Sequence, residues 1–181
     1  MARASMFALI SHIRLLISDP AGADEVFSDD ELAVFADARR TDVLYQPLTP
    51  LHSIAPGGAV SYLTWVAAGG WWESSAQLVD GSYNVLTPTA SDWLAGRWTF
   101  ATTQQTVLIQ GAQYDVYAAA ANAVDAWIAK VALQYDFGAD GGNYKRSQMR
   151  AGLEALLNRL RAQSSTGGIT TATMMRGDCL P

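Results

Sequence analysis

Residues 96–128 read GRWTFATTQQTVLIQGAQYDVYAAAANAVDAWI, and a change of pattern in the middle of this stretch decides the fold. In the first half Trp98 and Phe100 stand two apart, the spacing that puts both on one face of a strand. Thr106 to Gln110 is a second strand of β-branched and apolar residues. From Tyr114 the period lengthens. Tyr117, Ala121, Val124, Ile128, Val131 and Tyr135 recur at helical spacing and form one stripe on a helix from Tyr114 to Tyr135. Asp115 suits its first turn, and Ala118 to Ala121 lets a neighbouring helix come close. Strands running straight into a long helix point to an α+β fold.

Upstream, the stretch from Asp42 to Gly111 keeps the strand character. Val60 to Val66 is rich in β-branched and aromatic residues. Gln77-Leu78-Val79 and Tyr83-Asn84-Val85 flank Asp80-Gly81, a hairpin signal. Pro47, Pro50, Pro56, Gly57 and Gly58 punctuate the entrance. The residues before it read as two helices. One spans Ser5 to Ser18, with Phe7, Ile10, Ile13, Arg14 and Ile17 on one side and Arg14 placed to snorkel; Asp19-Pro20 and Gly22 end it. The other opens on Ser28-Asp29-Asp30-Glu31, a capping box. Its face is Leu32, Phe35 and Ala36, and Arg39 and Arg40 complement the dipole at its end.

Downstream, YDFGADGGNYKRSQ (135–148) reads as a turn between helices in which Gly138, Gly141 and Gly142 supply positive φ. A last helix, Lys145 to Ala162, carries Met149, Leu153, Leu156, Leu157 and Leu160 on its apolar face. The Ser/Thr/Gly-rich remainder lacks a core pattern and reads as a flexible arm. The expected architecture is a bundle of about four helices, 1–42 and 113–163, with a β-rich insertion, 43–112, between helix 2 and the long helix. Residues 164–181 form the arm.

Composition narrows the function. Half the residues are hydrophobic and 16% are charged, below the usual soluble share of roughly 25%. This fits a surface buried against partners or a neutral, Ala-rich soluble protein. The net charge is -5, and no basic run tracks a phosphate backbone. The single cysteine, Cys179, forms no internal disulfide and no cysteine-built zinc site. Ala8 to Ile17 is apolar but carries His12 and Arg14 and is too short to span a membrane; it lacks the cleavage site of a signal peptide.

No catalytic motif appears: no Gly-x-Ser-x-Gly elbow, HExxH helix or phosphate-binding loop. His12 and His52 are the only histidines and have no partner at ligand spacing. Asp136, Asp140 and Asn143 hint at calcium, but the spacing fails the EF-hand pattern. Enzyme activity, a cofactor and a metal are therefore not expected. The insertion holds Trp65, Trp71, Trp72, Trp93 and Trp98. Exposed indoles of this kind stack on sugars or anchor a protein contact. Neighbours on a strand face opposite ways, so Trp71 and Trp72 cannot share one small core, and one of the pair is a candidate interface anchor. Lys145 and Arg146 are candidates to meet an acidic neighbour or DNA, or are simply solvated. Arg176-Gly177-Asp178 reads like an adhesion tripeptide of the kind that arises by chance; Arg176 and Asp178 are kept as candidates for docking on a neighbouring subunit.

Three blocks carry a resemblance: LLISDPAGADEVFSDDELAVFAD (15–37), the 96–128 stretch quoted above, and YDFGADGGNYKRSQ followed by a Leu/Arg helix and tail. In this order they resemble the head-to-tail connector (adaptor, or head completion) proteins of tailed bacteriophages. The resemblance covers Leu15 to Ala162, and Tyr45 to Trp93 matches least. It implies a virion protein at the capsid vertex, made in the host cytoplasm. Copies would form a ring, twelve-fold in most of that family, beneath the portal protein, extending the DNA channel and seating a neck or tail completion protein. DNA would pass without sequence-specific binding, and no membrane is involved. The alternative from the residues alone is an accessory carbohydrate- or protein-binding module working through the aromatic insertion.

Overall fold

A computed structural model of the chain describes residues 2–54, 58, 60–132, 137–139, 142–144 and 146–165. The architecture is α+β, with four helices and a β-rich insertion between the second helix and the long one. A short 3-10 turn, Ala4–Met6, leads into α1, Phe7–Ile17. Its buried face is Leu9, Ile10, Ile13, Arg14 and Ile17, with Met6 just ahead. Phe7, expected on that face, points outward, because the stripe starts one residue earlier at Met6. The helix ends on Ser18 in the left-handed region, φ 57.

Arg14 does not snorkel. It is buried and gathers the 19–29 loop around itself. Its guanidinium donates to Asp19 Oδ2 (3.3 Å), Glu25 Oε2 (3.1 Å), Asp29 Oδ1 (2.7 Å) and the Phe27 carbonyl (2.8 Å). Asp19, equally buried, accepts in turn from the Val26 and Phe27 amides. Five donors in a planar fork let one arginine satisfy this many acceptors.

Helix α2, Asp29–Asp37, opens with the expected capping box: Ser28 accepts from the Glu31 amide and Glu31 reaches back to the Ser28 amide. The helix closes at Asp37, so its last turn holds no base, and Arg40 instead starts a strand. Helix α3, Val116–Ala132, is capped by Asp115 Oδ1 on the Ala118 amide. Ala119, Ala120 and Ala123 are fully buried along it, where α1, α2 and α4 approach closely. Helix α4, Arg146–Ser165, lays Leu153, Leu157 and Leu160 on α3, while Met149 is exposed. Between α3 and α4 the expected plain turn is replaced by a small hairpin of β9, Phe137–Ala139, and β10, Gly142–Tyr144.

The insertion forms two antiparallel four-stranded sheets. The first has the order β1-β8-β4-β5, with β1 Arg40–Pro47, β4 Gln77–Val79, β5 Val85–Leu86 and β8 Leu108–Tyr114. The second has the order β2-β3-β7-β6, with β2 Thr49–Ile54, β3 Val60–Val66, β6 Ala90–Asp92 and β7 Arg97–Thr99. The chain passes from one sheet to the other at Leu48, whose amide bonds to Val107 O, in the manner of a sandwich corner. Trp65, Trp72, Leu78, Trp98, Phe100, Val107 and Ile109 fill the space between the sheets. A separate core joins the helices, with Ala112 and Tyr114 of β8 as the strand's contribution to it.

Gly111, where β8 passes Ala76, has φ 151, and a Cβ there would lie 2.5 Å from that of Ala76. Opposite it, β1 bulges between Val43 and Gln46, with Tyr45 at φ 51. The Asp80-Gly81 hairpin exists, but its loop is longer than a two-residue turn. Asp80 organises it by accepting from the Ser82 and Asn84 amides at 2.7 and 2.9 Å.

Candidate functional site

The two cores meet at Trp71 and Trp72, and the pair separates, one ring to each core, although neither residue lies in a strand of the two sheets. Trp72 turns into the sheet core, is 1% exposed, and donates from Nε1 to the Gly69 carbonyl at 2.8 Å. Trp71 turns the other way, onto the helices. Its ring lies 4.5 Å from that of His12 and 6.0 Å, edge-on, from Tyr117. Trp71 holds a positive φ of 65, uncommon for a bulky residue. Backbone bonds on both sides fix it there: its N–H to Leu94 O, and its carbonyl to the Tyr114 N–H. Gly70 is the enabling neighbour, since a Cβ on it would collide with the Leu94 carbonyl. Burial against Trp71 lowers the pKa of His12, and its Nε2 has no hydrogen-bond partner among the described residues.

Directly after the tryptophans, Glu73 enters a polar junction that ties three parts of the chain together. It is buried, and its carboxylate accepts from Ser5 Oγ (2.5 Å), Tyr114 OH (2.7 Å) and Arg3 Nε (3.0 Å). Arg3 also pairs with Asp37 at the end of α2, at 2.7 Å. Ala2 N donates to Asp30, and the Ser74 amide to Ser5 O. Burial alone would raise the Glu73 pKa. The three hydrogen bonds and the Arg3 charge outweigh it and hold the carboxyl at about 2. Burial and the adjacent carboxylate push the Tyr114 hydroxyl up. Every member named finds partners inside the chain, and the junction braces the sheet against the helices.

Two kinds of surface remain open. The first is exposed apolar side chains on both layers. On the helices these are Phe7, Leu15 (77% exposed) and Val34. On the first sheet they are Leu44 (76% exposed), Tyr45, Tyr83 and Val85, with the Tyr45 and Tyr83 rings in edge contact at 4.9 Å. Leu51, Val60 and Tyr62 add to them along the β2–β3 ribbon. The second is a groove of about 730 Å³ walled by Val43 of β1, Gly69 to Trp71, the start of α3 at Asp115 and Tyr117, and the end of α4 at Gln163 and Ser164.

The candidates named from sequence fare unequally. Trp72 lies inside the chain's own core, which takes it off the surface; Trp71 packs on the helical core and is half-buried on the groove wall. Arg146 is the first residue of α4. Lys145, Arg176 and Asp178 lie outside the described residues, as do Asp136 and Asp140 of the suggested calcium loop. His52 is exposed on β2. Tyr45 and Tyr83 were missed by sequence reasoning. Tyr83 had a signal, an aromatic next to a Gly turn, whereas nothing in the sequence marks the bulge that exposes Tyr45. Among the described residues no cluster of His, Cys, Asp and Glu could hold a metal ion, and no helix is long and apolar enough to cross a membrane. Comparison with protein-family models, curated proteins and solved structures finds no match for this chain.

Proposed function

We infer that this chain is a structural virion protein, a head-to-tail adaptor whose copies form a ring beneath the portal. The ring extends the DNA channel and offers the docking surface for a neck or tail completion protein. The observation that carries the reading is the presence of apolar side chains exposed on both layers of one subunit. These are Phe7, Leu15 and Val34 on the helices, and Leu44, Tyr45, Tyr83 and Val85 on the first sheet. A ring closes through head-to-tail contacts, in which one patch meets a different patch of the next copy. Apolar surface on two different layers supplies both halves of such a contact, where a two-fold dimer needs only one. The resemblance of the three sequence blocks to the connector family supports the same reading. The alternative, an accessory carbohydrate- or protein-binding module working through the aromatic insertion, has the half-buried Trp71 and Trp93 as its candidate contacts; glycan binding by the monomer that is lost with Trp71→Ala would favour it.

The test is assembly. The full chain is mixed with portal particles and imaged by negative stain, and its mass alone is followed by light scattering against concentration. A ring seated on the portal is expected, lost with Tyr45→Ser/Tyr83→Ser and with Leu15→Ser. A chain that stays monomeric at all concentrations and ignores the portal ends the proposal.

A further inference from the structure

The groove beside Trp71 has one end at which the chain itself arrives. Helix α4 brings Gln163 and Ser164 into the groove wall, and the sequence continues for sixteen residues, 166–181. We propose that this C-terminal segment folds back and occupies the groove of its own subunit, with Ile169, Met174 and Met175 against Val43, Trp71 and Tyr117.

Three observations favour this occupant. The first is reach. A segment tethered at the lip of a groove is present there at an effective concentration of order millimolar, far above any free competitor. The second is chemistry. From Thr166 to Met175 the sequence carries no charge and includes Ile169, Met174 and Met175. The wall offers aliphatic and aromatic surface in Val43, Trp71 and Tyr117. Methionine adapts to an irregular cleft of this kind and makes favourable contacts with aromatic rings. The third is charge. Among the described residues of the groove wall Asp115 is the one carboxylate, and no lysine or arginine lies there. Arg176, the segment's one cation, directly follows the two methionines and stands nearer to them than Asp178, the segment's one acid. The groove size, about 730 Å³, falls within the roughly 300–1,000 Å³ that ordinary binding clefts span. The proposal concerns the single subunit and stands whether or not copies assemble into a ring.

The one cysteine of the chain, Cys179, lies in this segment and takes a nitroxide label without any mutation. In the ¹⁵N-labelled full chain, the nitroxide is expected to erase the amide signals of Val43, Gln113 and Tyr117, and ascorbate reduction to restore them. Mixing nitroxide-labelled unenriched chains with ¹⁵N chains lacking the label is expected to erase nothing. Met174→Asp/Met175→Asp, which alters no described residue, is expected to bring the groove signals back in the labelled chain. Groove signals untouched in the labelled chain, or unchanged by the double substitution, overturn the proposal. Loss that also appears in the mixed sample assigns the groove to a second copy's segment, which also overturns it.

Discussion

Glu73→Gln takes one negative charge out of the junction between sheet and helices while keeping its shape. In the folded chain the Glu73 carboxyl titrates at about 2, against 4.5 for an unperturbed one. At about 1.4 kcal/mol per pH unit this gap is worth about 3 kcal/mol. Arg3, one of its three donors, is 41% exposed and therefore screened by water, so about 2 kcal/mol is the expected net contribution. The sign follows from the direction of the shift. A carboxyl held low when folded contributes in full above its unfolded pKa, and the contribution fades as pH falls from there toward 2. Urea unfolding followed by circular dichroism, on wild type and variant in parallel, isolates Glu73 from the other carboxylates. The variant is expected to be less stable by about 2 kcal/mol near neutral pH, with the difference closing progressively below about pH 4.5. An equal difference at neutral pH and at about pH 2.5 would refute the assignment of an ionised, hydrogen-bonded carboxylate.

Other substitutions probe the remaining devices. Arg14→Ala strands the buried Asp19 carboxylate and is expected to cost about 3–5 kcal/mol in the same urea assay; Arg14→Lys recovers only part, because a single ammonium cannot reach Asp19, Asp29 and the Phe27 carbonyl together. Gly111→Ala places a methyl against Ala76 at a φ that disfavours side chains, and a melting-point drop of at least about 5 °C is expected. Trp72→Ala empties the sheet core and is expected to cost about 3–5 kcal/mol; Trp71→Ala, at a half-buried site, is expected to cost clearly less. Tyr45→Ser/Tyr83→Ser changes exposed rings only and is expected to leave the unfolding midpoint nearly unmoved while removing self-association in light scattering.

The order of layers was legible because it rests on local periodicity. Val60 to Val66 is rich in the β-branched and aromatic residues of a strand, the Ala-rich stretch after Asp115 repeats as a helix, and Ser28 with Glu31 marks a helix start by hydrogen bonds three residues apart. Contacts distant in sequence were not legible. Arg14 looked like a surface base because its partners arrive from a loop with no regular period, and Glu73 gave no sign that Ser5 and Arg3 would come to it. The bulge exposing Tyr45 depends on how β1 registers against a strand more than sixty residues later. For the candidate site, the sequence set Trp71 and Trp72 apart on the alternation of a strand, whereas they part at a left-handed residue, Trp71, outside the strands. It could not say that a second core, built by the opposing sheet, would take Trp72.

The parting of those two indoles has a mechanical consequence. One peptide unit carries a ring anchored in each layer, so there is no slack linker at that crossing for the layers to pivot about. Trp71 packs against the helical core while Trp72 sits in the sheet core, so the two layers share this one step of backbone. A bend confined to that crossing would have to break the backbone bonds that tie Trp71 to Leu94 and to Tyr114.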